Sequence, residues 1–200
     1  MPAPSLDLSF PRLWQVEVLA GRPLILPQRH FVYPRDVDEV ERGALEVLVR
    51  PASIGPDKES HSSHAPTVQP FLATCALGFR DPSVPHGVWS CPRPEEICAV
   101  AGGYAYLIDT IVPEQFSMIA FRPVLAVRAV MEQGLLLFVG HQRILAWGAR
   151  GEAWQSEKVS DEGVTITSIE KDVLRGMGWH LLTDKEASFA LDLRSGLRVI

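Results

Sequence analysis

The sequence predicts an all-β protein whose antiparallel β-meanders stack as propeller-blade-like or sandwich sheets and do not close into a propeller. The 200 residues include 15 glycines and 16 prolines, too many turn-forming residues for a helical bundle. After residue 70, short apolar runs bounded by glycine, proline or charged turns recur about every ten residues, which is typical of sandwiches, barrels and propellers. No window in this region keeps a 3.6-residue apolar period beyond about two turns, so no helix is expected there.

In the N-terminal part of the chain, apolar runs are short and prolines are frequent. The run 14–18 (Trp-Gln-Val-Glu-Val) alternates apolar and polar residues, which predicts a half-buried strand. Residues 24–26 (Leu-Ile-Leu) lie between two prolines, so any strand there is very short. The acidic stretch 36–46 is compatible with a short helical turn, and residues 44–50 read as the next strand.

Residues 51–69 form the clearest loop of the sequence. They include Ile-Gly-Pro-Asp-Lys-Glu-Ser-His-Ser-Ser-His, with few large apolar side chains to bury, so we expect a mobile segment. His61 and His64 offer two imidazoles to a metal, but no acidic or cysteine ligand lies close on the apolar side of the pair. A solvated loop is therefore the prediction for this segment.

Strand candidates follow one another from residue 70 to the end of the chain. They are residues 71–79, 87–90, 97–101, 104–109, 117–121, 124–131, 135–139, 143–147, 164–169, 173–175, 180–182 and 188–193. Gly102 and Gly103 stand between two of them, as a tight hairpin with positive φ requires, and 140–143 can form a second hairpin turn. Both turns predict neighbouring antiparallel strands.

Three segments of the chain resemble one another as hairpins. They are AVAGGYAYLIDT (99–110), LFVGHQRILAWG (137–148) and VLRGMGWHLLTD (173–184), whose starts lie 38 and 36 residues apart. This spacing is close to the roughly 40 residues of a four-stranded propeller blade. In the third segment, Gly176-Met-Gly178 is interpreted as a hairpin turn, since it lacks the third glycine and the helix of a dinucleotide-binding motif.

Two stretches resemble the blade repeats of quinoprotein-type β-propellers, which carry an Ala-x-Asp-x-x-Thr-Gly-x-x-x-Trp pattern. The stretches are Ala146-Trp-Gly-Ala-Arg-Gly151-Glu-Ala-Trp154 and Ala190-Leu-Asp192-Leu-Arg-Ser195-Gly196. The first has Gly148 in place of the aspartate, lacks the threonine and is shorter before Trp154; the second has Ser195 for threonine. The resemblance implies a turn and a docked tryptophan that hold adjacent blades together.

The region 151–196 is also similar to bacterial proteins without an assigned activity that share a Trp-x-Ser, Asp-x-Gly, Phe-x-Leu-Asp-x-x-Ser/Thr-Gly signature. Residues that would hold a quinone are not found, so no cofactor is predicted. We expect one domain over 1–200, with the mobile loop at 51–69 and the blade-like repeats at 70–200. Because a closed propeller needs about four to eight blades and 1–43 does not resemble one, an open stack is expected.

Charge and cysteine content restrict the partners and the compartment. The net charge is −5 and no basic block is present, so neither nucleic acid nor a membrane surface is an expected partner. No secretory signal or membrane-spanning apolar run is visible, and Cys75, Cys91 and Cys98 are an odd number in a chain too long to need disulfides. These features predict a cytoplasmic protein with an unidentified protein or small-molecule ligand.

The candidate catalytic residues are His86, Asp81 and His141, which a hydrolase could assemble from separate loops. No Gly-x-Ser-x-Gly motif ties a serine to a histidine, and Cys91-x6-Cys98 departs from zinc-site spacing, so no metal is predicted. Most of the five tryptophans are expected to fill the spaces between sheets rather than to stack on a ligand. We therefore expect a non-enzymatic binding or scaffold module that uses β-sheet loops or edges, with a hydrolase as the alternative.

An open stack leaves strand edges that must be covered. The candidate strand 188–193 contains neither lysine nor proline, so its edge is not protected by either residue. We expect it to pair with the N-terminal segment, or else with a second copy of the protein, which would make a homo-oligomer.

Overall fold

The prediction of an all-β protein is confirmed. A computed structural model describes residues 3–35, 43–52 and 69–199, and these contain sixteen strands in four sheets. Within these ranges no sheet closes into a barrel or a propeller. The predicted helical turn over 36–46 and the mobile loop over 51–69 fall largely on 36–42 and 53–68, which lie outside the described residues.

Sheet I and sheet II come from the first part of the chain. Sheet I has the order β2-β4-β5-β3, with β2 (Trp14–Leu19), β4 (Ala44–Pro51), β5 (Phe71–Ala76) and β3 (His30–Tyr33). Sheet II has the order β1-β6-β7-β8-β9, with β1 (Ser5–Asp7), β6 (Gly87–Ser90), β7 (Glu96–Ala101), β8 (Tyr104–Asp109) and β9 (Phe116–Met118). Two pairings are parallel, β3 with β5 and β1 with β6, and the others are antiparallel.

Sheets III and IV are simple meanders. Sheet III has the strands β10 (Ala126–Val130), β11 (Leu135–Val139), β12 (Ile144–Gly148) and β13 (Gly151–Gln155) in chain order. Sheet IV has β14 (Val164–Glu170), β15 (Val173–His180) and β16 (Lys185–Asp192).

Three apolar interfaces order the sheets as a linear stack, I–II–III–IV. The first cluster joins sheet I to sheet II through residues such as Val47 and Tyr106, both fully buried. The second joins sheets II and III, for example Leu107 with Phe138, and the third joins sheet III to sheet IV, for example Leu137 with Leu191.

Strands in the two middle sheets are apolar on both faces, because both faces are covered. In β7, Ile97, Ala99 and Ala101 belong to the interface with sheet I, and the alternate residues Cys98 and Val100 belong to the interface with sheet III. Successive side chains of a strand point to opposite faces, so a strand between two sheets needs a continuous apolar run. This explains why Leu135–Val139 (LLLFV) shows no alternation, whereas β2 and β14 at the two ends of the stack do.

The two predicted glycine-containing hairpins are confirmed. Ala101 pairs with Tyr104 across Gly102 and Gly103, whose φ values are 56° and 77°. The turn 140–143 joins β11 to β12, with Val139 opposite Ile144.

The interpretation of Gly176-Met-Gly178 as a turn is wrong. Both glycines lie inside the continuous strand β15, and the turn to β16 comes later, between His180 and Lys185. A side chain at Gly176 would collide with the ring of Phe189 and with the backbone of Thr165. The glycine is therefore needed for close approach within the sheet.

Part of the outer edge of the last strand is covered by the residues that follow it, which the sequence did not indicate. The N-H of Val199 donates to the carbonyl of Ala190 at 3.0 Å, and the N-H of Asp192 donates to the carbonyl of Leu197 at 2.8 Å. The residues that follow β16 thus fold back on the last part of its outer edge, at 190–192, and the expected pairing with the N-terminal segment is wrong. The N-terminal strands β1 and β2 belong instead to sheets II and I.

Trp154 docks sheet III on the turn that follows β16. Its side chain is 7% exposed, and its Nε1 donates to the carbonyl of Leu193 at 2.7 Å. The indole ring lies against Gly196, where φ is 70° and a Cβ would collide with the ring. Asp192 holds this turn, because its Oδ1 accepts bonds from the N-H groups of Arg194 and Ser195 at 3.0 and 2.9 Å. The likeness of this segment to quinoprotein repeats itself stays a prediction.

Replacing Trp154 tests this docking. We expect Trp154→Ala to lower the free energy of unfolding by about 3–5 kcal/mol, as other large-to-small core changes do. Trp154→Phe, which keeps a ring but loses the bond to Leu193, should cost less than Trp154→Ala. Urea denaturation measures both, with Trp179→Ala at a partly buried position as the control. A loss below about 1 kcal/mol for Trp154→Ala would contradict the docking role.

Candidate functional site

His86 lies just before β6, between sheets II and III. Its carbonyl accepts the N-H of Ser5 at 2.8 Å, and its ring lines a cavity of about 310 Å³ together with Trp89 and Val127. The buried Nδ1 has no partner among the described residues. Burial lowers the pKa of His86. The ring is thus poorly placed as a base, since the nitrogen that an orienting acid would hold is unpartnered.

Asp81 caps a turn. Its Oδ1 accepts bonds from the N-H and the hydroxyl of Ser83 at 2.8 and 2.7 Å, and these bonds lower the pKa of Asp81.

His141 lies in the turn between β11 and β12, where it lines a cavity with Arg122 and Arg143. Within the described residues, no hydrogen bond or ion pair joins Asp81, His86 or His141. The structure does not bring the predicted hydrolase residues together.

The structure shows a histidine-hydroxyl-carboxylate cluster that the sequence reading missed. Nε2 of His30 lies 2.9 Å from Oγ1 of Thr74, and that hydroxyl donates to Oε2 of Glu46 at 2.5 Å. The three residues lie on β3, β5 and β4 of sheet I, on the face turned away from sheet II. Nη2 of Arg22 comes within 3.5 Å of His30, and burial followed by this guanidinium lowers the pKa of His30.

This cluster contains the residue types of a catalytic triad, but its hydrogen bonds connect them in a different order. In a triad the acid orients the histidine, whereas Glu46 binds the hydroxyl of Thr74. Thr74 donates its one hydroxyl proton to Glu46, so Nε2 of His30 must donate its own N-H to Oγ1. Thr74 is 0% exposed and Glu46 is 4% exposed, which keeps a substrate away from both. The cluster satisfies buried polar groups in sheet I.

The cysteines carry no reactive thiol. Cys75, Cys91 and Cys98 are all buried, and burial raises the pKa of each, so the protonated thiol persists at neutral pH. In the described part of the chain, no group of three or more histidine, cysteine or acidic side chains is arranged to hold a metal ion.

Glu96, at the start of β7, is bonded to the sheets on both sides. Its Oε2 accepts the indole N-H of Trp147 from sheet III at 2.7 Å, and its carbonyl accepts the indole N-H of Trp14 from sheet I at 3.2 Å. Burial raises the pKa of Glu96 despite the bonds from Trp147 and Cys91 and the nearby charge of Arg93. The carboxylate lines an open depression of about 500 Å³, beside the ion pair of Arg93 and Asp109.

The connection from β2 to β3 exposes three consecutive aliphatic side chains. These two strands occupy opposite edges of sheet I, and one face of the sheet packs on sheet II, so segment 20–29 must cross on the outer side. Leu24, Ile25 and Leu26 are 105%, 88% and 42% exposed. The short strand allowed for 24–26 does not form, and this crossover segment presents an apolar tip instead.

The raised pKa of Glu96 has a consequence for stability. Because the folded state holds the proton more tightly than the unfolded chain, this group favours folding at low pH, and the contribution is lost as pH rises through the folded pKa. We expect Glu96→Gln to raise the free energy of unfolding at pH 7 and to flatten its pH dependence above about pH 4.5. The amide oxygen of Gln can still accept the bond from Trp147.

Urea denaturation over a pH series measures this effect. Glu95→Gln is the matched control, since Glu95 faces Arg93 at 3.8 Å and makes no bond to either tryptophan. The control should show no stabilisation, and a lower stability of Glu96→Gln at pH 7 would contradict the prediction.

No helix in the described ranges has the length and apolar character needed to cross a membrane. No protein-family model matches the chain, and no curated protein matches it significantly. What these side chains can do therefore follows from their own geometry and chemistry.

Proposed function

We propose that the protein is a binding module that docks on another protein through the crossover segment 20–29. The observation that carries this proposal is the exposure of Leu24, Ile25 and Leu26, which places three adjacent aliphatic side chains in water at one tip. Scattered exposed apolar residues are normal, but a contiguous apolar patch marks an interaction site.

The crossover segment is suited to binding because its ends are restrained. Pro23 and Pro27 fix the backbone φ angle on either side of the tip. The guanidinium of Arg29 lies over the rings of Phe31 and Phe71 at 5.6 and 5.8 Å. A segment that is already restrained loses less conformational entropy on binding, so more of the burial energy appears as affinity.

The chemistry of the segment defines the partner that it fits. Burial of Leu24 and Ile25 contributes about 1.5–3 kcal/mol each, which favours an apolar groove. Segment 20–29 contains Arg22 and Arg29 and no acidic residue, so acidic side chains at the rim of the groove would complement it. The hydrolase alternative receives no support from the described residues, because no hydrogen bond or ion pair among them joins Asp81, His86 and His141, and Thr74 is buried.

Photo-crosslinking from position 25 in the cells that make the protein tests the proposal. We expect a discrete adduct with another protein when a photoreactive amino acid replaces Ile25. Leu24→Ser combined with the probe at position 25 should abolish the adduct, because the aliphatic contact is lost. The same substitution should change the free energy of unfolding by less than about 0.5 kcal/mol, since the side chain is exposed.

A second exposed apolar tip provides the matched control. Leu181 and Leu182, in the turn between β15 and β16, are 62% and 101% exposed. A probe at position 182 should give no adduct of the same mass. The same adduct from both positions would mean unspecific stickiness, and an adduct of twice the chain mass would show that the occupant is a second copy. Either result, or the absence of any adduct at position 25, overturns the proposal.

A further inference from the structure

We propose a second, independent site: the cavity around Arg122, His141 and Arg143 binds a small organic oxyanion, a carboxylate or a phosphate monoester. The cavity has a volume of about 300 Å³ and is also lined by Phe121, Gln142 and Gln155. It lies where the connection from sheet II to sheet III meets the turn between β11 and β12.

Backbone contacts hold the two halves of this cavity in place. The N-H of Gly140 donates to the carbonyl of Arg143 at 2.9 Å, which closes the turn and projects residues 141 and 142 outward. Gly140 packs directly on the ring of Phe121, so closely that a Cβ would lie 2.9 Å from Cδ2. On the other side, the N-H of Val124 donates to the carbonyl of Gly103 at 2.8 Å. These contacts therefore restrain the backbone that carries Arg122 and Arg143.

Neither guanidinium is neutralised by an acid among the described residues. Arg122 lies over the ring of Tyr104 at 4.8 Å, with its Nη2 3.0 Å from the sulfur of Met118. Nη1 of Arg143 donates to the carbonyl of Ser156 at 3.2 Å. Among the described residues, no aspartate or glutamate lines the cavity, although the chain carries a net charge of −5.

Asp161, whose backbone carbonyl binds the side chain of Gln142 in this turn, has a carboxylate that is already paired. The carboxylate of Asp161 binds Lys158 Nζ at 2.5 Å and accepts the N-H of Leu181 at 2.9 Å, while its backbone carbonyl accepts the side-chain N-H of Gln142 at 3.3 Å. The carbonyl of Gln142 accepts the N-H of Val159 at 2.9 Å, which joins the turn to the same segment. The positive charge of the two arginines is thus left for a ligand.

The ligand class follows from the shape and donors of the cavity. The planar guanidinium matches carboxylate and phosphate oxygens with two parallel N-H bonds, and charged bonds of this kind are the stronger ones. A volume of about 300 Å³ equals that of on the order of ten water molecules, which limits the ligand to a small molecule. Phe121 and Pro123 add an apolar wall, so an oxyanion attached to a ring or a short carbon chain fits best.

Titration with phenyl phosphate, benzoate and neutral benzyl alcohol, followed by calorimetry, tests the site and separates phosphate from carboxylate. We expect at least one of the two anions to bind more tightly than the alcohol. Arg122→Gln and Arg143→Gln should each raise the dissociation constant of that anion about tenfold or more. Arg143→Lys should fall between Arg143→Gln and the unsubstituted protein, because it keeps the charge and loses the planar donors.

Arg194→Gln is the matched control, since this exposed arginine is paired with Asp172 at 2.9 Å and does not line the cavity. It should leave the dissociation constant unchanged, and thermal unfolding of each variant confirms that it folds. The proposal is overturned if neither anion binds at millimolar concentration, if benzyl alcohol binds as tightly as the anions, or if Arg194→Gln weakens binding as much as Arg143→Gln.

Discussion

Each of the three apolar interfaces in the stack is crossed by one indole N-H that donates to an acceptor on the far side. Trp14 binds the carbonyl of Glu96, Trp147 binds the carboxylate of Glu96, and Trp154 binds the carbonyl of Leu193. Apolar packing is non-directional and would let flat sheets slide over one another. A buried N-H without a partner costs free energy, so each indole fixes where one sheet sits on the next. These three bonds therefore help to set the position of each sheet on its neighbour.

The double-sided burial of the middle sheets also decides where functional groups can lie. Strands such as β7 and β11 have no face left for polar chemistry, so charged side chains collect at turns, at the ends of strands and on the outer faces of the stack. The cavity between Phe121 and Arg143 occupies a turn region, and the aliphatic tip at Leu24 lies on the outer side of sheet I. The burial of the middle sheets on both faces therefore explains why the candidate sites lie in a turn region and on an outer face.

The sequence predicted local features well and long-range features poorly. Strands β6, β8 and β11 match their predicted bounds, and four of the five tryptophans are buried as expected. The strands β1 and β3 were missed because they have three and four residues, and their partners lie far along the chain. The glycines in β15 have a turn-like local pattern, but they lie in a strand where Phe189 packs closely on Gly176, and Val159 and Ser160 pack closely on Gly178.

The candidate sites show the same contrast between local features, which the sequence predicts, and long-range features, which it does not. The sequence predicts His141 as a candidate residue. It does not predict Arg122 and Arg143 beside it as a group, because they come from two segments that meet only in the fold.

The bonds to Glu96 also imply that the four sheets differ in stability. Since Glu96 takes one bond from sheet I and another from sheet III, this residue links the first three sheets. Sheet IV is joined to sheet III by Trp154 and has an outer face of partly exposed residues, so we expect it to open before the other sheets in hydrogen exchange.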